Sequence, residues 1–299
     1  MLGNVRRLLT SGTAILREPP WAAPGHFYSP VPSAADTDRA VARREQEIAA
    51  ATSAGLPGID LNAEGQRILF KELAASFNDL PQKQTEGWRY HPDNVMYGLA
   101  DAAIYHAMLR RFPPKRIVEV GSGFSSAVAL DTADRFLPDA EMKFTFIEPY
   151  PDRLLGLLGD RDRKRCALIK SPVQDAGTQV FEELEPGDIL FIDSSHVSKA
   201  GSDVNLLFFE ILPRLADGVL VHVHDILWPF EYPERWLRQR RGWTEAYLLR
   251  AFLAFNSAFS IELFNAWFWH SEPELVREAL PAAAGQLPGG IWLRKGKRP

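Results

Sequence analysis

Five short apolar, β-branched runs alternate with helical segments through the second half of the chain, and this alternation limits the fold more than any other feature. The runs are Arg116 to Val120, Lys143 to Ile147, Cys166 to Lys170, Asp188 to Ile192 and Gly218 to Val223. Helical segments fit at Ser125 to Phe136, Pro151 to Leu158, Thr178 to Leu184, Val204 to Leu215 and Glu245 to Asn256. Strands linked through helices pair in parallel, so the pattern predicts an α/β fold with helices on both faces of the sheet. Two last strands are expected at Phe259 to Phe268 and Gly290 to Arg294.

Upstream the pattern differs. Pro19, Pro20, Pro24, Pro30 and Pro32 interrupt the stretch before Ser33, which reads as an irregular arm over residues 1–33. Two helical stretches follow, Asp36 to Ala51 and Ala63 to Asn78, the second with an apolar stripe of Ile68, Leu69, Leu73 and Phe77. An aromatic, polar loop around Trp88, Arg89, Tyr90 and His91 then leads into a helix expected from Val95 to Phe112, stopped by Pro113 and Pro114. The organisation expected is an arm (1–33), a helical extension with a lid-like loop (34–94) and a main domain (95–299).

A chain of 299 residues with 46% hydrophobic content can bury one large core. Thirty-four basic against 38 acidic side chains leave a net charge of −4, no field for a polyanion, so nucleic acid is not an expected bulk partner. The single cysteine, Cys166, reads as a small buried side chain and suits a reducing compartment, so a cytoplasmic location is expected. Arg6 and Arg7 precede only a short Leu-Leu pair rather than a signal-peptide core, and no apolar run reaches the roughly 18 residues of a membrane span.

The sharpest local signal is Ile117-Val118-Glu119-Val120-Gly121-Ser122-Gly123-Phe124-Ser125-Ser126, a buried strand running through a Gly-x-Gly turn into a helix. Glycines there let a ligand approach the backbone. Ser126 stands where a dinucleotide fingerprint has its third glycine, which weakens a pyrophosphate reading. An acid, Glu148, ends the next strand 25 positions after Gly123, placed to accept both hydroxyls of a ribose.

These residues resemble the class I S-adenosylmethionine-dependent methyltransferase family, in element order from about Val95 to Leu293. The resemblance implies a Rossmann-like sheet of seven strands, mostly parallel with an antiparallel last strand. It further implies that Gly121, Ser122 and Gly123 face the methionine half of S-adenosylmethionine, that Glu148 holds its ribose and that Glu119 belongs to the same cofactor site. Gln174 or Asp175 would meet the adenine, and Asp193 would also touch the cofactor.

The fourth strand delivers Asp193-Ser194-Ser195-His196 to the carboxyl edge of the sheet, and the fifth delivers His222, His224 and Asp225. Two chemistries fit. His196 could serve as general base toward an acceptor hydroxyl, given an imidazole that titrates near neutrality. Alternatively, Asp193, His224 and Asp225 could hold a divalent metal, with magnesium, manganese and iron all compatible. His222, inside the strand, reads as structural. The set is similar to that of metal-dependent O-methyltransferases of the catechol and macrolide sugar types, with His196 where the catechol enzyme has a lysine and the His224-Asp225 pair where it has Asp-Asn. The resemblance implies O-methylation of a small hydroxylated acceptor, sugar or phenolic. A nicotinamide-dependent oxidoreductase and a non-catalytic methyltransferase-like binding protein are the alternatives.

The segment Ile226 to Gly242 is inserted after the fifth strand, with Trp228, Phe230, Tyr232, Trp236 and arginines 235, 238, 240 and 241. It reads either as a cover over the acceptor or as a solvated helix.

Overall fold

The computed structural model describes residues 19–296; the first 18 residues of the expected arm, with Arg6 and Arg7, lie outside the described part. Helices α1 (Ala34–Ala54) and α2 (Ala63–Ala74) precede α3 (Leu99–Arg111). The alternating part follows as β1 (Arg116–Val120), α4 (Phe124–Phe136), β2 (Lys143–Ile147), α5 (Asp152–Leu157), α6 (Asp162–Arg165), β3 (Cys166–Ile169), α7 (Gln179–Glu182) and β4 (Ile189–Ile192). The chain continues through α8 (Asp203–Leu206), α9 (Leu212–Arg214), β5 (Leu220–His224), α10 (Glu234–Arg238) and α11 (Glu245–Leu253). It closes with β6 (Phe259–Phe264), α12 (Asn265–Ser271), α13 (Pro273–Ala279) and β7 (Gly290–Lys295).

The seven strands form one sheet in the order β3-β2-β1-β4-β5-β7-β6. Strands β1 to β5 pair in parallel, and β7 runs antiparallel between β5 and β6. This is the parallel sheet that the alternation implied, in the Rossmann-like form that the resemblance implied. Central strand β4 (Ile189, Leu190, Phe191, Ile192) is buried throughout, as a strand covered on both faces must be. Helix α3 packs along α4, α2 against β6, and α12 against β7.

Register fixes the functional edge. Val120 lies opposite both Ile147 and Ile192, and Ile192 opposite Val223. Gly121, Glu148, Asp193 and the last residue of β5, His224, therefore lie side by side at one carboxyl edge.

Several expected boundaries move, each for a local reason. The helix expected from Val95 starts at Leu99, because Asn94 Oδ1 accepts from the Met96 and Tyr97 amides and holds that stretch in a turn. The stripe on α2 is Leu69, Phe70 and Leu73, followed by Phe77, whereas Ile68 is exposed. The strand expected to reach Phe268 stops at Phe264; α12 begins there and buries Trp267, Phe268 and Trp269. The helix expected over Val204 to Leu215 widens to a π-helical turn over Leu207–Ile211, just before Pro213, which has no N–H to give and crowds the preceding turn.

The described chain divides into two compact units, one of Gln46–Tyr232 with Trp243 onward, the other of the described residues up to Glu45 with Pro233–Gly242. In the smaller unit Ser33 and Asp36 cap α1 reciprocally, each side chain accepting the other's amide. Arg238 pairs with Glu234 and Asp38, Arg240 donates to the Pro32 carbonyl, and Arg241 lies over Trp236. No described helix is long and apolar enough to cross a membrane.

Candidate functional site: a polar cavity beside an acid-histidine cluster

A cavity of about 390 Å³ opens at the carboxyl edge, lined by Gly121, Glu148, Val173, Gln174, Asp193 and Ser195 among others. Glu148 accepts from the Ser122 amide through Oε2 (3.2 Å) and from the Tyr150 amide through Oε1 (2.8 Å). Each carboxylate oxygen keeps a free lone pair, so both can still accept a hydroxyl. Gln174 is held on the cavity wall by its Nε2 donating to the Gly201 carbonyl (2.8 Å); Asp175 is exposed and is not among the lining residues.

The glycine turn is built differently from what its sequence implied. Gly121 has φ +80°, and a β-carbon there would lie 2.0 Å from the Asp193 carbonyl oxygen. The space a side chain would fill is thus taken by the start of the loop after β4 rather than kept open for a ligand. Gly123 is the residue whose missing β-carbon leaves room for a neighbour's side chain, that of Arg153. Ser126, at the position of the absent third glycine, accepts the Gly123 amide through Oγ (3.0 Å) and caps α4.

Glu119 is not on the cavity wall. It lies fully buried, with Ser125 Oγ donating to Oε1. Burial pushes its carboxyl up to about 8, against the hydrogen bonds of Ser125 and Ser126. Its Oε2 and the Ser122 hydroxyl are buried without a partner among the described residues. Two such orphaned polar atoms beside a cavity with a free-faced carboxylate fit a polar cofactor.

Next to this cavity stands an acid-histidine cluster. Ligand atoms of Asp193, His196 and Asp225 lie within 4.8 Å of one another. His196 Nε2 is 3.4 Å from Asp193 Oδ1 and 3.6 Å from Asp225 Oδ2, while Nδ1 is bound to Glu245 Oε2 at 2.8 Å. Both His196 (φ +62°) and Asp225 (φ +56°) adopt the left-handed backbone that non-glycine residues avoid. The His196 carbonyl accepts the Thr244 and Glu245 amides, and the Trp243 ring packs at 4.2 Å from the imidazole.

Electrostatics changes the reading of His196. Burial lowers an imidazole's affinity for a proton, but Asp193 and Glu245 outweigh it and push His196 up to about 10. At neutral pH the ring is an imidazolium, so it does not have the proton-accepting state expected of a base titrating near neutrality. Burial would raise Asp193, yet the hydrogen bond to His196 and the charges of His224 and Arg153 hold it below the ordinary carboxylate range. His224 is raised, burial being outweighed by Asp225, Asp193 and Asp101. Asp101, reaching in from α3, is pushed up to about 7 by burial and accepts the Gly289 amide (2.9 Å).

Residues 118–226 match the family model described as a methyltransferase domain. This stretch is a methyltransferase domain. An uncharacterized protein of Archaeoglobus fulgidus is 39% identical to this methyltransferase over 170 residues, which cover 54% of this chain and 73% of that protein. Among solved structures, the apo form of CmcI is 18% identical with TM-score 0.44, covering 75% of this chain and 84% of that one. A putative caffeoyl-CoA O-methyltransferase from Staphylococcus aureus is 14% identical with TM-score 0.43, covering 88% and 100%. An S-adenosylhomocysteine-bound Podospora anserina methyltransferase is 14% identical with TM-score 0.42, covering 85% and 96%.

The group of side chains close enough to share a metal ion differs from the set expected. His196 joins Asp193 and Asp225, whereas His224, whose Nε2 is 3.6 Å from Asp225 Oδ1, lies beside them against Tyr97. His222 is structural, as its place in β5 indicated: it is buried between Phe191 and Trp292, and burial holds it well below its usual range, neutral. Cys166 is half-buried rather than buried, and burial pushes its thiol up to about 12, which keeps it protonated.

The Trp88 to Asn94 loop is fastened to α4 and α6 by Arg89, which pairs with Asp131, Asp134 and Asp162, and by the Tyr90 amide on Asp131. None of its residues lines the cavity at the carboxyl edge. Trp228, Phe230 and Tyr232 are core residues, Trp228 donating to Thr52 Oγ1 and packing on Phe264. Glu245, Asp101 and Arg153 went unread in the sequence, because each is an ordinary charged helix residue until the fold brings it to the edge.

Proposed function

We propose that this protein is an S-adenosylmethionine-dependent O-methyltransferase that acts on a small hydroxylated acceptor, sugar or phenolic, with a divalent cation held by Asp193, His196 and Asp225. One observation carries the reading: Asp193 lines the cofactor cavity and also belongs to the acid-histidine cluster, so a transferred group and an acceptor oxygen would meet across a single carboxylate.

The Glu148 carboxylate accepts the ribose hydroxyls, and the Gly121–Gly123 turn carries the methionine half. Glu245 grips Nδ1 of His196 and so fixes the tautomer that turns Nε2 toward the two acids. Two carboxylates and one imidazole suit manganese or iron better than magnesium, which favours oxygen donors alone. A cation there supplies Lewis acidity that lowers the acceptor hydroxyl's pKa. His196 then serves as a ligand, which agrees with its position between carboxylates better than service as a base.

Titration calorimetry with S-adenosylhomocysteine tests the cofactor half. Wild type is expected to bind, and Glu148→Ala to bind about tenfold or more weakly, since a charge-accepting pair of hydrogen bonds is lost. A wild type that binds no S-adenosylhomocysteine refutes the reading.

A further inference from the structure

The three amides of the glycine turn are all engaged within the protein. Gly121 N–H donates to the Ile147 carbonyl (3.0 Å), Ser122 N–H to Glu148 (3.2 Å) and Gly123 N–H to Ser126 Oγ (3.0 Å). An anionic group arriving at the turn therefore finds no backbone donor, although such turns at helix starts ordinarily offer one. Around it stand the carboxylates of Glu148 and Asp193, which attract an ammonium or a sulfonium and repel a carboxylate.

One cation answers that repulsion. Arg153, on the first turn of α5, reaches back over the turn: a β-carbon at Gly123 would lie 3.1 Å from its Cδ and 3.7 Å from its Nη1. Its charge is felt at Asp193, and it has no ion pair or hydrogen bond among the described residues. An exposed arginine that crosses a glycine turn, unpaired, is free to close a two-pronged hydrogen bond on a planar anion.

We propose that Arg153 is the counter-ion for the carboxylate of the amino-acid end of the cofactor, seated over Gly123. This rests on the reading that the cavity takes S-adenosylmethionine, and it adds the residue that distinguishes an amino-acid-bearing nucleoside from a plain thioether nucleoside. Lys199, a cation that lines the cavity itself, sits on the loop that meets Gln174 through Gly201.

Calorimetry with two ligands tests it. S-adenosylhomocysteine has the amino-acid end, and 5′-methylthioadenosine lacks it while keeping the ribose, the adenine and a sulfur. Arg153→Ala is expected to weaken S-adenosylhomocysteine about tenfold while leaving 5′-methylthioadenosine within about twofold of wild type. Arg153→Lys is expected to recover part of the loss, since charge returns without the fork. Equal weakening of both ligands, no weakening of either, or a selective loss in Lys199→Ala instead of Arg153→Ala overturns the assignment. If wild type binds neither ligand, the cofactor reading itself has failed.

Discussion

At the scale of single residues, Glu119 is the side chain whose state the fold alters most legibly. Its folded pKa of about 8 stands above the ordinary 4.5, so the folded protein holds a proton there that the unfolded chain releases. Stability from this group is therefore complete below about pH 4.5 and is lost as pH rises toward about 8. Glu119→Gln keeps the shape without the titration. In the absence of cofactor, the wild type is expected to lose on the order of a few kcal/mol relative to this variant between pH 5 and pH 8.5. Thermal melts of both proteins across that range measure the difference; parallel curves would show that Glu119 ionises in the folded state as easily as in the unfolded one. Asp101 shifts in the same direction, toward about 7, so only the difference between the two proteins isolates Glu119.

At the scale of elements, Gly121 joins the end of β1 to the end of β4. Asp193 N–H donates to the Val120 carbonyl at 2.8 Å, which brings the Asp193 carbonyl into the space a Gly121 side chain would need. Gly121→Ala is expected to destabilise the ligand-free protein by about 3 kcal/mol or more, from the collision together with the left-handed φ. Denaturant unfolding checks this; unchanged stability with lost cofactor binding would mean that the glycine serves the ligand instead. The same junction shows what the sequence could reveal. Strands β1 to β5 were legible because buried parallel strands must be continuously apolar, and Glu148 and Asp193 because register places whatever follows a strand at the edge. Glu245 and Asp101 were not, because a helix carries acids on many positions and only its packing decides which acid turns inward. Phe259 to Phe268 read as one strand since β6 and the aromatic α12 share bulky apolar residues, which fit either element over so short a run.

For the whole molecule, the question is why a chain of net charge −4 gathers Asp101, Asp193, Asp225 and Glu245 in one partly buried place, with His196, His224 and Arg153 as the opposing charges. Buried like charges repel, and the proton on His196 places one positive charge against three of them. A divalent cation at Nε2 would take over that role, and its binding would expel the proton. Titrating manganese near pH 7.5, between the ordinary 6.5 and the raised value of about 10, is expected to release about one proton, read as a dependence of the calorimetric enthalpy on buffer ionisation. Because only the folded chain presents the three ligands together, saturating manganese is also expected to raise the melting temperature by roughly 5 °C or more, and Asp225→Asn to lose most of the rise. Chelator that leaves the melting temperature unchanged, with no proton released on titration, would make the cluster a hydrogen-bonded polar core in which the imidazolium is the permanent counter-ion. His196 would then hold Asp193 and Asp225 in place through charge alone, and the acceptor's proton would have to leave by another group.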